Sequence, residues 1–209
     1  MKIDVSRPKK LYRYSEKVWL ERSLKLGEFR LRPASEYKLQ EIDPARHDDE
    51  LVRTSKSPAS SVNITIERTG KTIKPIDEVS YRSEVGTNYL TICFSHRWDE
   101  RLFHEFSNSD SCLIIHDVQE FCDRFHTVAE RILPEWAGFD AAVEYGKQSK
   151  LGAVFSKPPQ FTLQQEWRFA WRPSSPLEHL DPIIIQVGNI MDIAEIVERP
   201  NLATHPSSK

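Results

Sequence analysis

The chain has 209 residues, of which 39% are hydrophobic and 29% charged, with a formal net charge of -2. That length fits one domain, or one domain with appended elements. The balanced charge gives no reason to expect a nucleic-acid binder driven by phosphate neutralisation, and leaves room only for a local basic patch. No stretch approaches the ~20 apolar residues of a membrane span, and Met1–Lys10 carries no apolar run of the signal-peptide kind. The cysteines, Cys93, Cys112 and Cys122, include no Cys-x-x-Cys pair, so neither a disulfide framework nor a zinc ribbon is indicated. A protein of a reducing, cytoplasmic compartment with no membrane partner is expected.

Leu11–Tyr14 reads as a first strand. Ser15 is placed to cap a helix running to about Leu26, with Trp19, Leu20 and Leu24 on its apolar side and Gly27 as its stop. Phe29-Arg30-Leu31-Arg32 alternates before Pro33 and predicts a second short strand. The strongly charged segment from Ser35 to Arg53 reads as a short helix or an ordered loop, and Thr54–Ser60 as a loop. Val62, Ile64 and Ile66 alternate with polar residues as in a half-buried strand, and a turn at Arg68–Lys71 leads to a partner around Thr72–Ile76. Tyr89–Ser95 is the best buried strand of the middle of the chain. Leu90, Ile92 and Phe94 share one face, and Thr91, Cys93 and Ser95 the other.

Cys112–Ile115 predicts another strand, followed by the clearest helix. Asp117 and Glu120 have capping-box spacing. Val118, Phe121, Cys122, Phe125, Val128, Ala129, Ile132 and Leu133 recur at helical period until Pro134. Strand-like segments follow at Phe139–Tyr145, Gly152–Phe155, Leu163–Arg172, Ile183–Val187 and Ile193–Val197, and residues 200–209 read as a disordered tail. Strands outnumber helices without regular alternation, so a single α+β domain over residues 1–199 with a mixed, mostly antiparallel sheet is expected. No Gly-x-Gly-x-x-Gly or P-loop segment is present, and Rossmann and P-loop folds are set aside.

The most informative segment is the strand around Glu166. Side chains alternate along a strand, so Trp167, Phe169 and Trp171 point to a core. Gln164, Glu166, Arg168 and Arg172 share the other face. An aromatic backing of this kind suits a carboxylate held rigidly over a cleft. Two more polar positions sit on apolar strands, Arg13 and Ser95. The plainer readings are a surface arginine, a hydroxyl closing the next turn, and an ion pair from Glu166 to Arg168 or Arg172.

The ordered set Arg13, Ser95, Gln164-x-Glu166 resembles the Arg–Ser–Glu class of ADP-ribosyltransferases. That resemblance implies a compact α+β fold and a cleft for NAD. Arg13 would grip the pyrophosphate, and Ser95, with His96 beside it, would order the ribose. Glu166 would stabilise an oxocarbenium-like transition state as nicotinamide leaves, and Gln164 would orient a protein or nucleic-acid acceptor. The central motif of that class is commonly Ser-Thr-Ser, whereas this chain has Phe94-Ser95-His96.

Segments Leu11–Tyr14, Gly27–Leu31, Asp48–Glu50, Cys93–Ser95 and Lys157–Arg168 are similar to the blocks of a mainly bacterial and phage family, domain of unknown function 2971. Its usual Met-Trp-x-x-Tyr segment is replaced by Leu102-Phe103-His104-Glu105-Phe106. By family analogy the setting would be a toxin or phage–host conflict. A non-catalytic nucleotide- or protein-binding domain on the same scaffold is the alternative, with a metal-dependent nuclease third. His96, His104, His116 and His126 with Asp48, Asp49 and Glu50 lack the spacing of a helical metal motif, so no metal is expected. Glu144-x-x-Lys147 after Asp140 is too common a spacing to define a nuclease core. Cys93 and Cys122 sit in apolar surroundings where thiols are inert. Of the tryptophans that offer a stacking surface, Trp98, Trp136, Trp167 and Trp171, the last two are expected in the core.

Overall fold

A computed structural model describes residues 6–39, 49 and 51–200. The expected tail beyond Pro200 and most of the charged segment between Ser35 and Arg53, including Asp48 and Glu50, lie outside the described residues.

β1 (Leu11–Ser15) leads into α1 (Lys17–Leu26). Ser15 ends the strand, Glu16 occupies the cap position without a side-chain bond, and the first helical N–H (Lys17) donates to Asp110 Oδ1 at 2.7 Å. The orphan amide at the helix start is thus satisfied from a distant loop. Trp19 stands 56% exposed, off the apolar side of the helix that Leu20 occupies. Gly27 closes the helix in the left-handed region (φ 62°), where a Cβ would lie 2.0 Å from the Gly188 carbonyl oxygen. β2 (Glu28–Pro33) follows, then a 3-10 turn over Ala34–Leu39.

Residues 51–86 depart most from expectation. The segment read as a loop is β3 (Val52–Ser57), paired along its length with β6 (Val79–Glu84). Between them β4 (Ile64–Ile66) and β5 (Lys71–Ile73) form a separate hairpin, and Ile64, Ile66 and Ile73 stay exposed. Alternation identified the hairpin but not its burial, because no other described element covers its isoleucines.

The core is built around β7 (Leu90–Ser95). After the short α2 (Leu102–Glu105) come β8 (Ser111–Ile115) and α3 (Val118–Ile132), where Asp117 accepts from the Glu120 N–H at 3.0 Å, as its spacing predicts. Ile132, assigned to the buried face, is 47% exposed in the last turn. β9 (Ala137–Ala142) and β10 (Glu144–Tyr145) follow. Gly152–Phe155 is not a strand: Ala153–Phe155 is a 3-10 turn before β11 (Ser156–Lys157). β12 (Glu166–Arg172) begins at Glu166, and β13 (Ile183–Gln186) and β14 (Ala194–Glu198) complete the described chain.

The main sheet has eight strands, with the path β13-β2-β7-β1-β8-β14 and the branch β7-β12-β9. Its pairings are antiparallel; the small β10–β11 pair is parallel. The fold is α+β. Leu90, Ile92 and Phe94 of β7 and Trp167, Phe169 and Trp171 of β12 join the core that α3 covers with Phe121 and Phe125. Most of the aromatic rings meet edge-on or tilted, such as Phe94–Phe169 at 5.7 Å between centroids, while Trp171 stacks on Phe125 and Phe169. The opposite face of the same two strands carries Ser95 and Glu166.

Candidate functional site

One edge of β7 is taken by β12, from Glu166 opposite Ser95 to Trp171 opposite Leu90. The other edge is shared by two strands. β2 pairs at its beginning, Arg32 with Thr91 and Pro33 with Leu90, while β1 touches only its end, Tyr12 with Ser95. Between these two contacts the sheet forks, and a cavity of about 550 Å³ occupies the fork. Arg13, Ser95, Gln164 and Glu166, distant in sequence, all line it. His96 is not among its lining residues; its N–H donates to the Gln165 carbonyl at 2.8 Å, and burial lowers its imidazole pKa.

Arg13 serves the fork itself. Its Nη1 donates to the Cys93 carbonyl at 2.9 Å, midway between the positions of β7 paired with β2 and with β1. Its guanidinium lies 5.6 Å from the centre of the Phe94 ring. A buried carbonyl at a gap in a ladder needs a donor, and Arg13 supplies it. Alternation puts Arg13 on the Leu11 and Phe94 side of the sheet and Glu166 on the other. The two thus reach one cavity from opposite faces. The Ser95 hydroxyl donates to the Arg97 carbonyl at 2.6 Å and accepts from the Arg97 N–H, closing the turn after β7.

Glu166 is 6% exposed and both its oxygens are engaged: Oε1 accepts from Lys157 Nζ at 2.7 Å and Oε2 from Arg168 Nη2 at 2.8 Å. Glu166 thus lines the cavity, as a carboxylate held over a cleft would, but it also makes the ion pair to Arg168 of the plainer reading. Burial alone would raise its pKa, but Lys157 and Arg168 outweigh burial and hold it well below the usual carboxylate range. Arg172, the other arginine read onto this face, is exposed at the end of β12. Gln164 does not lie on the strand. It ends a 3-10 turn over Pro159–Gln164, and Gln165 adopts a left-handed conformation (φ 42°) before β12 starts. Even so, Gln164 is buried beside Glu166, because Lys157 Nζ donates to its Oε1 at 2.9 Å.

Lys157 is the residue that sequence reading left without a role. It pairs with Tyr145 in the parallel β10–β11 ladder, and the Tyr145 hydroxyl accepts from the Glu166 N–H at 2.8 Å. That small ladder holds Lys157, itself 5% exposed, over the head of β12. Arg30 and Arg32 also line the cavity, from β2, and Trp19 and Tyr37 border it. Trp19 takes the place expected of other tryptophans: Trp167 and Trp171 are core, Trp136 packs against that core, and Trp98 belongs to an aromatic cluster with Tyr14 and Phe103.

Among the described residues no group of three or more His, Cys, Asp and Glu side chains is arranged to hold a metal ion. His126 and Arg7 bind Asp140 on the α3 side, whereas Glu144 pairs with Lys147 at 2.7 Å. Cys112 and Cys122 are buried, and burial pushes both thiols up. Cys93 is half-buried and borders the cavity. No described helix is long and apolar enough to cross a membrane. No family model, curated protein or solved structure matches the chain.

Proposed function

We propose that the fork cavity binds NAD and that the protein is ADP-ribosyltransferase-like, in keeping with the order Arg13, Ser95, Gln164, Glu166. The observation that carries this reading is the meeting of these four residues on one cavity of about 550 Å³, within the size range of small-molecule and cofactor sites. Aromatic and cationic side chains share its walls, Tyr12, Trp19 and Tyr37 with Arg30, Arg32 and Lys157. A dinucleotide needs both, flat rings for its bases and donors for its phosphates.

In this reading Lys157 releases Glu166 Oε1 as it turns to the incoming ligand, and Arg168 keeps Oε2 fixed. The freed oxygen accepts from a ribose hydroxyl. As the bond from ribose to nicotinamide breaks, the ionised carboxylate faces the positive charge developing on the sugar carbon. An acceptor nucleophile oriented by Gln164 then forms the bond to the sugar carbon that nicotinamide has left, and its proton passes to solvent.

One observation favours a second reading, a non-catalytic nucleotide-binding domain. The trio Lys157, Glu166 and Arg168 carries a net positive charge in the resting state, which suits holding an anion better than stabilising a cation. Calorimetry with NAD and an assay for released nicotinamide, run with protein and nucleic-acid acceptors, separate the two. Binding with turnover supports transfer, and binding without turnover supports the second reading. If NAD is neither bound nor consumed, the NAD reading is wrong, and the second survives only if another nucleotide binds.

A further inference from the structure

We propose that Arg30 and Arg32 of β2 form the phosphate receptor of the cavity, and that its ligand carries a diphosphate or two adjacent phosphoryl groups. This rests on the reading of the fork as a nucleotide site but moves the anion subsite away from Arg13. Arg13 is already bound to the Cys93 carbonyl, and Lys157 must first leave Glu166 and Gln164 before it can meet a ligand. The side chains of Arg30 and Arg32 line the same cavity and make no hydrogen bond or ion pair with any described residue.

Their placement follows from β2. Phe29 and Leu31 turn into the core, so Glu28, Arg30 and Arg32 share the outer face. Opposite Arg32 stands Thr91, on the face of β7 that also carries Ser95 and meets Glu166. Arginines two apart on one strand face are ~7 Å apart at the backbone, and like charges so close repel. The carboxylate on that face, Glu28, is taken by Arg22 through bonds of 2.9 and 2.6 Å. An anion is therefore the missing partner. Two planar guanidinium forks, each suited to two oxygens, match successive phosphoryl groups rather than a single carboxylate.

The test is calorimetric titration of the full chain with inorganic pyrophosphate, ADP and adenosine at low and moderate salt. Wild type is expected to bind pyrophosphate and ADP with affinity that falls as salt rises. Arg30→Gln/Arg32→Gln weakens both at least tenfold, and leaves the melting temperature and adenosine binding as they were. Arg30→Lys/Arg32→Lys, which keeps charge but not the fork, lies between. Unchanged anion affinity in the glutamine variant, or no anion binding by wild type, overturns the proposal. Its failure is distinct from that of the NAD reading. NAD bound and consumed as in wild type by the glutamine variant defeats the receptor alone. Pyrophosphate binding that needs both arginines, with NAD inert, defeats the NAD reading alone.

Discussion

The two faces of the β7–β12 pair are built from opposite chemistry. Towards α3 the strands bury Phe94, Trp167, Phe169 and Trp171 among further rings. On the other side the same backbone buries Lys157, Gln164, Glu166 and Arg168, each 6% exposed or less. Burial is equal, but the energetics are not. Aromatic burial stabilises in proportion to area removed from water. Burying a charged trio costs desolvation that its own ion pairs roughly offset. A fold gains little stability from such a face, and the proposed function gives it a role in ligand binding instead.

Truncation on the aromatic face is expected to have the largest effect. Phe169 is fully buried against Phe94, Phe121, Phe125 and Trp171. Phe169→Ala should cost about 3–5 kcal/mol in denaturant unfolding. A loss below about 1 kcal/mol would mean that the aromatic face is not the main source of stability.

On the polar face, Glu166→Gln leaves Lys157 and Arg168 buried around a neutral amide. It should destabilise by about 3 kcal/mol, and adding Lys157→Met should recover part of that loss. Strict additivity of the two substitutions would break the account of a coupled trio.

Asp140 sharpens the comparison, as a charge buried on the aromatic side. Burial would raise its pKa, but His126 and Arg7 hold it down to about 2, against an ordinary 3.8. A carboxyl lowered on folding stabilises the protein above its unfolded pKa and stops doing so as pH falls through the folded one. Stability should thus fall between about pH 4 and pH 2, with ~2 kcal/mol of the fall due to Asp140. In Asp140→Asn that share of the acid dependence should vanish; an unaltered acid limb would remove Asp140 from the explanation. The smallest effect is expected at the fork wall, where Arg30→Gln and Arg32→Gln should each change stability by less than about 0.5 kcal/mol.

The sequence was legible where one local rule decided the outcome. β7 and β12 showed their two faces by alternation, and α3 its start by the Asp117–Glu120 spacing. β3 and β6 were not legible: Arg-Thr-Ser-Lys-Ser has the composition of a loop, and only pairing across residues 52–84 makes it a strand. Gln164 was placed correctly near Glu166 for the wrong reason, since the left-handed turn at Gln165 leaves no mark on an alternation pattern. Lys157 owes its position to the parallel β10–β11 pair, a contact between two-residue strands that carry no periodicity. Arg30 and Arg32 were within reach. Their alternation with Phe29 and Leu31 put them on one exposed face, but only the fork reveals that this face lines a cavity.

That the fork is an NAD site is tested most directly by calorimetric titration of wild-type protein with NAD. Saturable binding of one NAD per chain, weakened at least tenfold in Arg30→Gln/Arg32→Gln, is the predicted result. A folded wild-type chain that shows no saturable NAD binding contradicts it.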